Sequence, residues 1–225
     1  MPVYKLDDKE ISFPLPTLAR EDGLLAIGGD LSVERLVLAY SNGIFPWYNE
    51  GDPILWWCPK ERYIIRPENI HVSHSMKKFM RKHEVRVELN RDFSHTMHRC
   101  REKRESTEEG TWITTDMEKA YALLASRGLA LSVEAYIDGA LAGGLYGVNL
   151  GKCFFGESMY SDMENGSKIA LIGLAQILNE NGYLLIDCQF HTDHLESMGG
   201  ERISYADYME LVKQGTETKK MRMSI

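Results

Sequence analysis

Asn181-Gly182-Tyr183-Leu184-Leu185-Ile186-Asp187-Cys188-Gln189 is a short apolar run that closes on a carboxylate and a carboxamide two residues apart. Two residues is the side-chain period of a strand, so the pattern predicts a buried strand with Asp187 and Gln189 on one face at the rim of a sheet, where ligands of α/β proteins sit. The alternative is that Asp187 caps the turn that follows. A second run, Gly151-Lys152-Cys153-Phe154-Phe155-Gly156-Glu157-Ser158-Met159-Tyr160-Ser161, is strand-like too and carries an acid after an aromatic pair. Between the two, residues 165–181 place Ile169, Leu171, Ile172, Leu174, Ala175 and Leu178 close to helical spacing and stop at Asn181-Gly182. Strand, helix and strand in this length make a parallel crossover, which predicts Glu157 and Asp187 near each other at comparable strand ends.

Working outward, regular patterning extends back to Tyr63. The sequence predicts a strand over 63–67 ended by proline, a basic helix over 75–83, a strand over 85–89 and a second basic helix from Asp92 to about residue 103. A helix starting at Thr115 or Asp116 runs to Ser126, and strands over 129–137 and 140–150 flank the hairpin signal Asp138-Gly139. A last helix starts at Ser204-Tyr205-Ala206-Asp207 and ends near Gln214. The expected fold is α/β, a mixed α+β sheet with helices on both faces, in the layout of the acetyltransferase-like fold. That fold marks its acyl-CoA site with Gln/Arg-x-x-Gly-x-Gly/Ala, a run missing here, so the expected acyl carrier is not CoA.

Residues 1–62 differ in texture. The first 60 hold six of the seven prolines and three of the four tryptophans. The expected organisation is a small aromatic and proline-rich N-terminal domain over 1–62 and a catalytic domain over 63–225. Gly43-Ile44-Phe45-Pro46-Trp47-Tyr48 and Pro53-Ile54-Leu55-Trp56-Trp57 fit either domain packing or a platform on which a flat ring stacks. The glycines around Asp22-Gly23 and Gly28-Gly29-Asp30 lack dinucleotide or phosphate-loop spacing and read as turns.

The 225 residues are 44% hydrophobic and 26% charged, with no apolar run long enough to span a bilayer and no signal-like start, so a cytosolic protein is expected. Cys58, Cys100, Cys153 and Cys188 form no Cys-x-x-Cys pair, which argues against a zinc ribbon and structural disulfides. The net charge of −7 disfavours general nucleic-acid binding, yet residues 77–104 carry ten basic against four acidic side chains. That segment is either a track for a phosphate backbone or two solvated helix faces.

Taken together, Phe13-Pro14-x-Pro16, Asp22-Gly23-Leu24-Leu25-Ala26-x-Gly28-Gly29-Asp30-Leu31-Ser32, Gly43-Ile44-Phe45-Pro46-Trp47-Tyr48, Pro53-Ile54-Leu55-Trp56-Trp57, Gly110-Thr111-Trp112-Ile113-Thr114, Gly143-Gly144-Leu145-Tyr146-Gly147, Phe155-Gly156-Glu157-Ser158-Met159 and Leu185-Ile186-Asp187-Cys188-Gln189 resemble the leucyl/phenylalanyl-tRNA-protein transferases. The motifs run in order from residue 13 to about residue 200. The resemblance implies an enzyme that moves Leu or Phe from Leu-tRNA or Phe-tRNA to the N-terminal Arg or Lys of a protein, marking it for N-end-rule degradation. It implies no cofactor, no ATP, no metal, no CoA and no membrane partner. The chain departs from the family pattern at Leu131-Ser132-Val133-Glu134 and Cys58-Pro59-Lys60, outside the pocket motifs.

By the same resemblance, Gln189 accepts a hydrogen bond from the attacking amine and Asp187 polarises and orients it. Glu157 pairs with the acceptor's cationic side chain, and Trp47 and Trp112 flank the terminal adenosine. Leu145, Phe154, Leu174 and Ile186 form the slot for the Leu or Phe side chain, although each also reads as plain core. Lys77, Lys78, Arg81 and Lys82 are the expected contacts to the tRNA body. Cys188 is expected to face away from Asp187 and Gln189 as packing.

Overall fold

The computed structural model describes residues 3–106 and 111–217; Gly110 of the Gly110–Thr114 motif lies outside them. In chain order the elements are β1 (Tyr4–Leu6), β2 (Leu24–Gly28), α1 (Val33–Tyr40), β3 (Phe45–Pro46), β4 (Leu55–Trp57), β5 (Glu61–Ile65), α2 (His74–Lys82), β6 (Val85–Leu89), α3 (Phe93–Glu105), α4 (Thr115–Ser126), β7 (Ala130–Ile137), β8 (Ala140–Leu150), β9 (Cys153–Ser161), α5 (Gly166–Glu180), β10 (Leu185–Asp187), α6 (Asp193–Ser197), β11 (Glu201–Ser204) and α7 (Tyr205–Glu217). Side-chain caps set several helix starts, because Ser32, Ser73, Asp92 and Thr114 each accept from a backbone N–H three residues on.

The strands form two sheets, β1-β2-β4-β3 and β11-β5-β10-β9-β8-β7-β6. In the larger sheet β9 and β10 run parallel, joined by the crossover helix α5, and the other pairs are antiparallel. A mixed sheet of this order is the acetyltransferase-like layout expected above. Alternating side chains give it two cores. Leu145, Phe154 and Ile186 pack toward α5, which buries nine residues. Tyr146, Phe155 and Leu185 pack on the opposite face with Tyr121 of α4, Tyr208 of α7, and Leu25, Ile44 and Trp56 of the smaller layer.

Pairing between β9 and β10 ends where Phe155 meets Asp187, while β9 continues alongside β8 to Ser161. The two parallel strands therefore part just beyond Asp187, and the gap is flanked by Gly156–Met159 on one side and Cys188–Phe190 on the other. Gly147 opposes this point on β8. A Cβ there would lie 2.2 Å from the Phe155 carbonyl oxygen and 2.5 Å from the Phe154 ring, so only glycine lets the strands approach at this irregularity in the ladder.

Three features depart from the pattern read above. The expected strand through Gln189 stops at Asp187, because Gln189 takes a left-handed conformation (φ 57°) that ends the ladder. The first 60 residues contain short strands whose pairing partners are remote in sequence, so they leave little alternation. Helix α6 and strand β11 are too short to show a period.

Candidate active site

The gap between β9 and β10 opens into a cavity of about 330 Å³. Its wall brings together Trp47, Trp112, Leu145, Phe154, Glu157, Leu174, Ile186 and Gln189 from parts of the chain separated by more than a hundred residues. The four apolar residues are buried on the α5 face. Leu174, in mid-helix, therefore serves both the core and the cavity. Trp47 is 41% exposed at the mouth, where its ring lies 5.7 Å from Trp57 and 5.6 Å from Phe190.

Asp187 does not reach the cavity wall. Its side chain is fully buried and takes Arg62 in a two-point contact, Nε to Oδ1 at 3.2 Å and Nη2 to Oδ2 at 2.7 Å. Tyr208 donates to Oδ2 at 2.8 Å, and the backbone N–H of Gln189 donates to Oδ1 at 2.9 Å. The expected arrangement, Asp187 and Gln189 side by side on one strand face, is thus replaced by a cap: the carboxylate fixes the backbone of Gln189 rather than its carboxamide. Tyr63 also holds that peptide, donating its N–H to the Gln189 carbonyl at 3.3 Å. Gln189 lines the cavity, and Cys188, which packs against the α5-face core as expected, lines it as well.

Arg62 itself is fully buried and sandwiched between Phe45 and Tyr208, with its guanidinium carbon 4.9 and 4.7 Å from the two ring centres. Nη1 donates to the Gly43 carbonyl at 2.7 Å. Gly43 (φ 68°) must be glycine, because a Cβ would lie 2.7 Å from the Tyr208 ring. One guanidinium therefore ties Asp187 to the turn that delivers Phe45 and Trp47. Asp187 raises the pKa of Arg62 and keeps it charged despite burial.

Glu157 sits between two phenols. Tyr40 donates to Oε1 at 2.7 Å and Tyr121 to Oε2 at 3.3 Å, and the two hydroxyls also contact each other. Burial pushes the Glu157 carboxyl up to about 8; the phenol hydrogen bonds and Arg62 oppose that shift, and the charge of Asp187 adds to it. Burial also raises both phenols well above their usual value, so they remain hydrogen-bond donors at neutral pH.

Lys77, Lys78, Arg81 and Lys82 lie away from the cavity on the exposed side of α2, and none makes an ion pair among the described residues. The rest of the basic segment is largely paired: Arg86 with Glu88, Arg99 with Glu102 and Asp162, Arg101 with Glu105 and Glu118, Lys103 with Asp162. Arg104 alone of that segment lines the cavity. Sequence reasoning missed Arg104, Arg62, Tyr40, Tyr121, Tyr208 and Phe190. The available signal was an arginine leading directly into the apolar run Tyr63-Ile64-Ile65, a residue type almost never buried without a partner. Outside the cavity, His191, Asp193 and Glu196 each bring one possible ligand atom within 4.8 Å of the others, and the His191 ring nitrogen lies 2.8 Å from Glu196.

With this geometry in place, the relatives of the chain are informative. Residues 64–213 match the leucyl/phenylalanyl-tRNA protein transferase family, and residues 29–60 match that family's N-terminal domain. The leucyl/phenylalanyl-tRNA–protein transferase of Desulfatibacillum aliphaticivorans is 50% identical over 222 residues, 99% of this chain and 95% of that protein. The enzyme of the same name from Syntrophus aciditrophicus is 47% identical over 222 residues, covering 99% of this chain and 92% of that one.

Proposed function

The chain belongs to the leucyl/phenylalanyl-tRNA protein transferase family, and from that premise we propose that its cavity transfers Leu or Phe from charged tRNA to the N-terminal Arg or Lys of acceptor proteins, committing them to N-end-rule degradation. The observation that carries this reading is the convergence on one cavity of an aromatic mouth, an apolar slot, a half-buried acid and a carboxamide.

The reaction is an aminolysis. The neutral α-amine attacks the ester carbonyl carbon, a C–N bond forms, the ester C–O bond breaks, the amine loses a proton and the ribose oxygen leaves with one. An α-amine with a pKa of about 7.7–8.0 is partly neutral near pH 7, so positioning is the main task. Gln189 accepts a hydrogen bond from the amine through its side-chain oxygen and orients the lone pair. A carboxamide is too weak a base to keep the proton, which passes to water or the departing ribose oxygen. Asp187 is a positioning residue: it acts through the Gln189 backbone and never touches substrate.

Glu157 takes the cationic side chain of the acceptor. Trp47 and Trp112 hold the terminal adenosine, where stacking contributes about 1–3 kcal/mol. Leu145, Phe154, Leu174 and Ile186 receive the Leu or Phe side chain, and since one methylene is worth only about 1–3 kcal/mol, Met is accepted more weakly. Lys77, Lys78, Arg81 and Lys82 guide the tRNA body. The ester is already activated, so neither ATP nor CoA takes part. The division into a small unit over 1–62 and a catalytic unit over 63–225 is our reading of the two sheets, with Glu61 and Arg62 contributing to the larger one through β5. No helix among the described residues is long and apolar enough to cross a membrane, and we assign the reaction to the cytoplasm, where charged tRNA resides.

The deciding assay incubates the protein with radiolabelled Leu-tRNA and a peptide beginning with Arg, without ATP or CoA. Label moves to the peptide if the reading is right. Turnover of acetyl-CoA with no leucine transfer overturns it in favour of a CoA-dependent acyltransferase. Binding of charged tRNA without transfer reduces the protein to a carrier.

A further inference from the structure

Phe190 follows Gln189 directly and lines the mouth of the cavity. Its ring stands edge-on to Phe45, 5.7 Å between centres, and lies 5.6 Å from Trp47 at an interplanar angle of 50°. Phe45 is buried under these contacts and packs on Arg62. Phe190 is not buried: 40% of it meets solvent, beside a Trp47 that is 41% exposed. The backbone fixes the ring in that position, because the left-handed turn at Gln189 is held by Asp187 and the Phe190 N–H donates to the Cys188 carbonyl at 2.7 Å. Two exposed aromatic faces, set side by side on a rigid turn, are therefore in place before any donor arrives.

We propose that the exposed face of Phe190 stacks the base of the nucleotide that precedes the donor's terminal adenosine, an assignment that rests on the reading of Trp47 and Trp112 as the adenosine site. A base held between two rings needs them about 7 Å apart, twice the contact distance between carbon atoms. Trp47 and Phe190 are too close for that, so each offers its own outer face and the pair suits two successive bases rather than one. Stacking of successive bases on aromatic side chains is a general mode of single-strand binding. Leu145, Phe154, Leu174 and Ile186 close the inner wall as buried core, so the polynucleotide continues from its terminal base across the mouth. Phe190 touches Trp47 and Phe45, not the Tyr40 and Tyr121 that surround Glu157, which puts its ring on the donor side of the cavity and away from the acceptor's cation. A bare phenyl face has no hydrogen-bonding group, so it selects for the presence of a base and not for its identity.

The test uses three minimal donors with an Arg-starting peptide as acceptor: 3′-O-leucyl-adenosine, the dinucleotide that carries a cytidine 5′ to it, and the same dinucleotide with an abasic ribose in place of the cytidine. The abasic donor keeps the phosphate and lacks only the base, so the quantity read is the ratio of kcat/KM for the dinucleotide to that for the abasic donor. The native protein gives a ratio of roughly 5 or more, as expected for one stacked base. Phe190→Leu brings the ratio close to 1, whatever it does to the absolute rates through its contact with Trp47, and Phe190→Trp keeps or enlarges it. A native ratio of 1, or a ratio that Phe190→Leu leaves unchanged, overturns the assignment alone. So does a Phe190→Leu protein with the native donor ratio and an altered KM for peptides that differ in their second residue, since the ring then serves the acceptor. Trp47→Ala checks the adenosine reading in the same assay: it slows use of leucyl-adenosine, and an unchanged rate with that donor overturns the reading and the Phe190 assignment with it.

Discussion

Gln189 occupies a backbone region that glutamine rarely adopts, with φ of 57°, and is kept there by Asp187 and by Tyr63. The two residues of the pair therefore fail differently when changed. Gln189→Ala removes a side chain that carries no part of the fold, so its melting temperature stays native while kcat drops about 10- to 100-fold, the loss of one transition-state hydrogen bond. Asp187→Asn leaves the buried Arg62 without its counter-charge, which costs on the order of 3–5 kcal/mol and lowers Tm by roughly 10 °C as well as slowing turnover. Thermal melts beside initial rates separate the two, and a folded Gln189→Ala that transfers leucine at the native rate removes the carboxamide from the mechanism. Glu157 makes a pH-dependent claim. Its folded pKa of about 8 stands above the ordinary 4.5, so between those values the native state holds a proton that the unfolded chain has released, and stability falls as pH rises through that window. Glu157→Gln matches the native protein in melts at pH 5 and exceeds it at pH 8.5. Function runs the other way: the ionised form binds a cationic acceptor, so KM for an Arg-starting peptide falls between pH 6 and 9 in the native protein and not in the variant. A peptide with a neutral first residue serves as control for titration of the α-amine.

Helix α2 presents Lys77, Lys78, Arg81 and Lys82 to solvent, and the segment before it is fastened to the end of α6 by the His71 N–H donating to the Met198 carbonyl at 2.9 Å. Since Thr192, His194 and Leu195 of the α6 region line the cavity, the charged face is anchored to the wall that receives the donor. Replacing all four by Gln is expected to raise KM for charged tRNA and to flatten its salt dependence, the log–log slope falling by about 0.7–0.9 for each phosphate no longer neutralised, while leucyl-adenosine turnover stays unchanged. Equal loss with both donors shows instead that the helix holds the fold. The contrast between α2 and the ion-paired α3 also shows what a sequence can convey. The excess charge over residues 77–104 is visible as composition, but which of Arg99, Arg101 and Lys103 pair, and with what, depends on Asp162 and Glu118, brought close only by folding. Helices α4 and α5 and strands β6 to β9 were legible because their periods run for several turns or residues. The end of β10 was not, because a single left-handed residue leaves the apolar pattern intact while breaking the ladder. Arg62 escaped for a related reason: the apolar pattern of its strand begins at Tyr63, one residue after it.

The two sheets share one of the molecule's cores: Leu25, Ile44 and Trp56 of the smaller layer pack in the same cluster as Tyr121, Phe155 and Tyr208 of the larger. The motif order along the chain made the cavity's membership readable, whereas this shared core was invisible because it rests on packing between distant segments. Strand β5 lies between β10 and β11 in the sheet. Arg62 finds Asp187 across 125 residues and Tyr208 across 146, and Tyr205 donates to the Asn42 carbonyl across 163. Synthesis proceeds from the N-terminus at roughly 5–20 residues per second, so Arg62 leaves the ribosome well before any of these partners exists. During that interval the segment carrying Trp47 and Arg62 has no sheet to join, and its apolar residues have only half a core. A chain stalled after residue 200 is expected to be cut by protease within residues 43–62, and one released after residue 217 is expected to resist; limited proteolysis of stalled nascent chains distinguishes the two. A transferase chain that ends before Asp187 and Tyr208 is therefore expected to show no transfer, because the groups that hold Arg62 and the Gln189 backbone are missing from it.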